Sequence, residues 1–561
     1  MNLRRAMHNY QHSARGAAAL VVVACLLAGG CEGWEKPEPD PEHLKAVNKL
    51  FDDRYTAALD TMQLLKADVH EPVDGPSGTL TPDDAIQRAL THNLALVGAA
   101  ESLPIAQANL VQAGLFENPA IGQSGAFYFP LFGAAGGATA FDVEIQQVIN
   151  GFFTQPNKVA VAKAQRFQAG IDLSNQAFGL AQQTQTQYQQ LVYLTRDGAL
   201  QRKIADTYKK ALDAAKAEVK VGLVTHSDYN RALIQYEDAL RQAHHYDTQY
   251  EGAARQMNWL MGVQTAPQWQ LPDSIKETPK VIAALPNQQR LEELGEKYRL
   301  DLLRASFDRK IADVSVELAK QGLFPQTTIG FDAARDSTKH WTGGPNFNIV
   351  LPIFDPGIVA LWNVKYQREQ TERNYVALQG QVRQDVRSAL NALQIAAEDV
   401  IFLRDRTIPQ EEENIKLAEL SFKLGNSDLD DLLNSIREYV GVLQNYEDAI
   451  QAYNQAVIGL ETAVGLAFPR IEQEAAGSPS KATTGAVVPG QIKPIGDATG
   501  PATLPGPAPH KPFRLSPETE PTTQPGGPPR VPFRLEDDVP PATQPASQPE
   551  TLSPTTRPAS P

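Results

Sequence analysis

GLFENPAIG, residues 114–122, returns as GLFPQTTIG, residues 322–330, and the five shared residues (Gly114, Leu115, Phe116, Ile121 and Gly122) each reappear 208 positions later. Asn93-Leu94 maps onto Asp301-Leu302 at the same offset, and Gly222, Asp228 and Gly262 reappear as Gly425, Asp431 and Gly465, now 203 positions on. A period near 205 is too long for a solenoid repeat, so the chain is read as a duplicated, domain-sized unit.

Each half passes through the same order of patterns. A moderate helix comes first, from Pro82 to Ala113 and from Gln288 to Gln321, with Pro82 behind the cap residue Thr81 and Pro104 expected to kink the first copy. Two short strands follow, near 118–150 and near 325–354. Then comes a very long Ala-, Gln-, Leu- and Glu-rich helix, from Lys158 to Lys220 and from Ile358 to Leu424, interrupted by proline only at Pro409; Glu411 to Glu413 behind it suit a restarting helix N-terminus. A glycine turn and a shorter helix close each half. A 60-residue helix is on the order of 90 Å long, more than a globular core can bury, so such helices must pack on one another.

The strands alternate. Phe141, Val143 and Ile145 face opposite to Asp142, Glu144 and Gln146, and Phe347, Ile349, Leu351 and Ile353 opposite to Asn346, Asn348, Val350 and Pro352. Apolar-out, polar-in alternation over about ten residues is the pattern of a membrane barrel, and the aromatic cluster Phe127 to Phe129 suits a membrane interface. A half-buried soluble sheet shows the same alternation. If the strands do enter lipid, four cannot close a barrel and bare edges cannot stay unpaired there, so the barrel must be shared between subunits.

Composition narrows the partners. The 561 residues carry a net charge of -14 and a pI near 5.3, with 42% hydrophobic and 21% charged residues and a mean hydropathy of -0.33. The acidic balance argues against nucleic acid, and no uninterrupted apolar stretch in the mature chain reaches the roughly 20 residues of a spanning helix. Arg4, Arg5 and Arg15 precede an apolar run from Ala17 to Ala28 and small residues, the grammar of a secretory signal ending at residue 30. Ala28-Gly29-Gly30-Cys31 resembles a lipobox with Leu27 one place early, which makes Cys31 the lipidated first residue; the plainer reading is an ordinary signal peptide with a stray thiol. Cys25 leaves with the signal, so no intramolecular disulfide is possible.

LTPDDAIQRALTHNLAL (80–96), AGLFENPAIG (113–122), KVGLVTHSDY (220–229) and FNIVLPIFDPG (347–357) resemble the recurrent landmarks of the TolC-like outer membrane efflux proteins, lipid-anchored type, over about residues 80 to 467. The resemblance implies a mainly α chain with transmembrane β. Three subunits would each give four strands to a 12-stranded barrel continuous with a long periplasmic α-helical barrel. It implies an outer-membrane homotrimer working with a periplasmic adaptor and an inner-membrane pump as a passive duct, with neither catalytic residues nor cofactor. Phe141, Val143, Ile145, Phe347, Ile349 and Leu351 would face lipid. An aspartate ring would narrow the far end of the pore: Asp431, with Asp428 and the first-half counterpart Asp228. The family's second aspartate is here Asn434. Ser227, Asp228, Ser427 and Asp428 also suit plain helix capping. A lipid-anchored periplasmic coiled-coil scaffold or adaptor outside the bilayer is the alternative.

The organisation expected is a signal peptide (1–30), a leader (31–79) with an amphipathic helix from His43 to Lys66, a first repeat (80–265), a linker (266–287), a second repeat (288–470) and a tail (471–561). From Gly477 the tail holds 21 of the 41 prolines and repeats Pro512-Phe513-Arg514-Leu515 as Pro532 to Leu535, as a spacer or a docking motif. His244 and His245 read as a solvated helix face without metal-ligand company. No phosphate loop, nucleophile elbow or metalloprotease motif is present.

Overall fold

The structure is a computed structural model and describes residues 38–68, 73–122, 141–222, 224–273, 287–335 and 341–475. Cys31, the aromatic cluster Phe127 to Phe129 and the proline-rich tail lie outside these residues.

The leader forms two helices, α1 (Pro41–Asp52) and α2 (Thr61–Lys66), where one was expected. The split is local: Asp40 and Asp60 each cap a helix start, and Asp52 Oδ1 accepts the amide of Leu59 in the turn between them. Leu44, Val47, Phe51, Tyr55, Leu59 and Leu64 are buried in one core with the helices of the first repeat. At about 1.5–3 kcal/mol for each fully buried large apolar side chain, this strap is an integral layer of the fold.

The first repeat continues with β1 (Gly78–Thr79), α3 (Pro82–His92), α4 (Leu94–Ala100), α5 (Ser102–Gly114), β2 (Ala120–Gly122), β3 (Phe141–Val148), α6 (Asn150–Val221) and α7 (His226–Leu260). After β4 (Trp269–Gln270), which pairs in parallel with β1, the second repeat runs α8 (Gln288–Tyr298), α9 (Leu300–Gln321), β5 (Thr327–Arg335), β6 (Trp341–Ile349), α10 (Ile358–Phe402), α11 (Ile408–Lys423), α12 (Leu429–Val464) and α13 (Phe468–Ala475). The 72 residues of α6 make a rod of roughly 110 Å.

Three expectations meet the structure here, and two of them change. The moderate helix of each half is broken, at Asn93 and Glu101 in the first and at Arg299 in the second, and Pro104 sits harmlessly in the first turn of α5. The breaks are tertiary. Gly262 seats against the backbone of His92, and Gly465 against Tyr298 and Arg299, both in the left-handed conformation (φ +71° and +77°). The halves therefore align here with an offset of 206 (298 − 92), not the 208 that Asn93-Leu94 suggested, because the glycine seat fixes the register and α9 carries two more residues towards the strand. Second, Leu94–Gly114 is apolar enough by length and composition to cross a membrane, with a mean hydropathy of 1.3 over its best window. It is interrupted at Glu101, however, and α5 packs along α6. Third, the helix does not restart at Pro409. A π-helical turn, Leu403–Thr407, joins α10 to α11 without a break. The wider turn removes the clash between the proline ring and the carbonyl four residues back, and Pro409 has no N–H to leave unpaired.

Two arrays share one order. The strands form a single antiparallel sheet β2-β3-β5-β6. Beyond it, α5 packs on α6, α6 on α9 and α9 on α10. The junction is sealed by Asn150, whose side chain donates to the carbonyl of Pro325 (3.1 Å) and accepts the amide of Thr327 (2.7 Å). At the other end α6, α7, α11 and α12 converge on a core of Tyr208, Leu212, Ala232, Ile415, Leu432 and Ile436.

Candidate channel wall and helical tip

The sheet has two chemically distinct faces. Its register sets Ile145 opposite Phe331, Val143 opposite Ala333, Ile329 opposite Phe347 and Thr327 opposite Ile349. Since side chains alternate along each strand, Ile121, Val143, Ile145, Ile329, Phe331, Phe347 and Ile349 share one face. It is bare: Ile145 is 48% and Phe347 67% exposed. The opposite face carries Glu144, Gln146, Asp332, Asn346 and Asn348, with Glu144 accepting from both Gln146 and Asn346. An apolar surface without cover beside a hydrogen-bonded polar one is the arrangement of a strand wall between lipid and water. Phe141 lies in the same backbone register as Val143 and Ile145. Leu351 does not belong to the strand: β6 ends at Ile349, and Pro352, which has no amide to donate, lies in the turn that carries the chain to Gly357.

At the tip each half turns on a left-handed glycine, Gly222 (φ +75°) and Gly425 (φ +73°). The N-cap of α7 is Thr225, and Asp228 completes a capping box, accepting from the Thr225 hydroxyl (2.7 Å) and amide (3.3 Å). Those bonds to Thr225 hold the Asp228 carboxyl below its usual range, with Arg231 3.7 Å away adding to the effect. Asp428 is the N-cap of α12, its Oδ1 accepting the amide of Asp431 (2.9 Å). The carboxylate of Asp431 is exposed and has no side-chain hydrogen bond among the described residues. Asn434 accepts from Arg437 (2.8 Å). Of the three aspartates singled out by sequence, two are thus engaged in capping and Asp431 alone is free.

Sequence reasoning missed Arg231. It sits one turn after Asp228 and reaches across to Asp430, joining the tip of α7 to that of α12. The signal was a lone cation among acidic turns, but its partner lies 199 residues away. His244 and His245 are exposed, and no group of three or more His, Cys, Asp or Glu that could hold a metal occurs among the described residues.

Residues 296–466 match the family model of the outer membrane efflux protein. The fold over about seven tenths of the chain is that of solved membrane proteins: CusC, described as forming a transmembrane channel (TM-score 0.58, 16% identity, covering 71% of this chain and 97% of that one), and a membrane protein from Pseudomonas aeruginosa (TM-score 0.59, 16% identity, 71% and 98%). In sequence it is 25% identical over 258 residues to the cobalt-zinc-cadmium resistance protein CzcC of Cupriavidus metallidurans, covering 44% of this chain and about 60% of that relative's length. The two-faced sheet and its helical rods share the fold of these solved membrane proteins. Over residues 296–466 the chain is similar to the outer membrane efflux proteins.

Proposed function

We propose that the chain is the outer-membrane subunit of a tripartite efflux or type I secretion system, a passive duct from periplasm to exterior. One observation carries this reading: an open four-stranded sheet with one bare apolar face runs into helices arranged in the same lateral order as the strands. An edge left open in lipid strands backbone groups without partners. The β6 edge of one copy therefore needs the β2 edge of the next, and α10 then meets α5 of that neighbour. With three copies, as in the resemblance, the product is a 12-stranded barrel over a helical tunnel.

Lipid anchoring at Cys31 fits the length of the strap. Asp40 is clipped to Arg166 (3.2 Å), which lies sixteen residues, or about 24 Å, along α6 from the sheet junction at Asn150. The nine residues from Cys31 to Asp40 reach about 30 Å when extended, enough to return an acylated Cys31 to the level of the sheet. A periplasmic adaptor and an inner-membrane pump would dock at the helical end. The name of the CzcC relative makes cobalt, zinc and cadmium ions the first cargoes to assay.

Arginine substitution of the sheet, with incorporation into liposomes as the readout, tests the reading. Arg at Val143, Ile145 or Ile349 near the bilayer midplane should cost about 2–4 kcal/mol, and Arg at Gln146 or Asn348 far less. Equal tolerance on the two faces would favour the periplasmic scaffold instead.

A further inference from the structure

Glu461 lies near the end of α12 with only 3% of its surface exposed, in the joint where the two repeats and the strap meet. Its Oε1 accepts the amide of Phe468, the first residue of α13 (2.7 Å), and its Oε2 accepts from Gln182 of α6 (3.2 Å). Between Glu461 and Phe468 the chain turns at Gly465, whose left-handed backbone is seated on Tyr298 and Arg299. The carboxyl thus pins a corner of the second repeat to the long helix of the first.

Among the described residues no cation answers it. On the strap, Arg54 is buried but donates to the carbonyls of Tyr298 (2.8 Å) and Leu50 (2.7 Å), and Tyr55 gives its hydroxyl to Gln185 (2.9 Å). On α13, Arg470 donates to the carbonyl of Asp52 (2.8 Å). At the break before α9, Arg299 is held by Asp301 (2.6 Å) and Asp385 (2.7 Å). From α6 the neighbours are the neutral amides Gln182 and Gln185. A carboxylate here is a desolvated charge served by hydrogen bonds alone, whereas a carboxylic acid keeps the Phe468 bond and turns its proton into a donor for an amide oxygen.

We infer that Glu461 is a proton-operated latch: when protonated it locks the α12–α13 corner onto α6, and when ionised it lets that corner open. Burial pushes its carboxyl up to about 7 from 4.5, against the lowering by the Phe468 amide and the two glutamines. An acid whose pKa is raised in the closed state stabilises that state fully below the open-state value and loses the contribution as pH rises through the closed-state value. The latch therefore weakens between pH 4.5 and about 7, a range that surroundings outside the cytoplasm traverse.

Hydrogen exchange of the full chain in nanodiscs, followed at residues 461–471 from pH 5 to 8, tests this. Relative to Glu461→Gln, which stays neutral, opening of this segment in the wild type should rise by up to about tenfold per pH unit below 7 and level off above it. Gln182→Leu removes a bond that favours the charged form, so it should move the wild-type midpoint upward, and it serves alone if Glu461→Gln does not accumulate. Parallel profiles for wild type and Glu461→Gln, or a midpoint unmoved in Gln182→Leu, would overturn the latch.

Discussion

The same joint occurs twice in this chain and is made with different chemistry each time. In the first repeat the break falls at Asn93, whose amide donates to the carbonyl of Leu260 (2.9 Å) while its oxygen caps α4 through the amides of Ala95 and Leu96. In the second repeat the break falls at Arg299, which caps nothing and holds two aspartates instead. There the amide of Leu302 goes to Asp301 (2.8 Å), and Arg54 of the strap donates to the carbonyl of Tyr298 at the end of α8 (2.8 Å). Burial lowers the Arg54 pKa to about 10, still charged at any physiological pH. Duplication thus fixed a backbone geometry, a helix break under a left-handed glycine, and left the means of holding it free to diverge.

The largest expected effect separates the two glycines. A Cβ at Gly262 would lie 2.1 Å from the carbonyl oxygen of His92, which cannot move without breaking the joint, so Gly262→Ala should cost about 3 kcal/mol or more. At Gly465 the nearest atom is 3.1 Å away, and Gly465→Ala should cost about 1–2 kcal/mol, mainly left-handed strain. Denaturant midpoints of the two variants in one detergent check the order, and equal losses would mean that the joints are equivalent.

Next come the break residues. Asn93→Ala removes a cap and orphans a buried carbonyl, for about 1–3 kcal/mol that salt should not change. Arg299→Ala should cost about 1–2 kcal/mol at low salt and less at 1 M, where the Debye length falls to about 3 Å. Thermal midpoints at two salt concentrations separate the amide joint from the ionic one, and a salt-sensitive Asn93 variant would contradict this contrast.

The smallest effect on stability, and the one that speaks to conduction, lies at the tip. Asp228 and Asp431 are counterparts in the two repeats, but the first is spent on its capping box and on Arg231 while the second is unengaged. Asp228→Ala should lower the thermal midpoint, because it dismantles the capping box, with little change in ion selectivity. Asp431→Ala should leave stability within about 0.5 kcal/mol and weaken both cation selectivity and block by multivalent cations in planar bilayers. Unchanged selectivity at low salt in Asp431→Ala would remove it from the pore lining.

What the sequence disclosed and what it hid divide along the same line. The duplication, the long helices and the strand faces were legible because each is written locally, in repeated glycines, in run length and in period-two alternation such as Val143 to Gln146. The breaks at Asn93 and Arg299 were hidden, since their cause lies in Gly262 and Gly465, well over a hundred residues away. The tip was legible as a set of acidic turns, but which aspartate stays free depends on Thr225, not Ser227, being the cap, and on an arginine reaching into the other repeat. Glu461 shows no local sign at all: it is one glutamate among many until the fold buries it.

The π-helical turn at Leu403–Thr407 bears on how such rods tolerate insertions and deletions. It holds one residue more than the ordinary turn it replaces, so every side chain beyond it is rotated by about 100° from where an uninterrupted helix would carry it. Removing a single residue from this turn would restore regular hydrogen bonding, yet it would swing Ile415 out of the tip core and bring its neighbours on the surface round to face α12. A lineage that gained a residue here could not lose it again without first rewriting the face of α11.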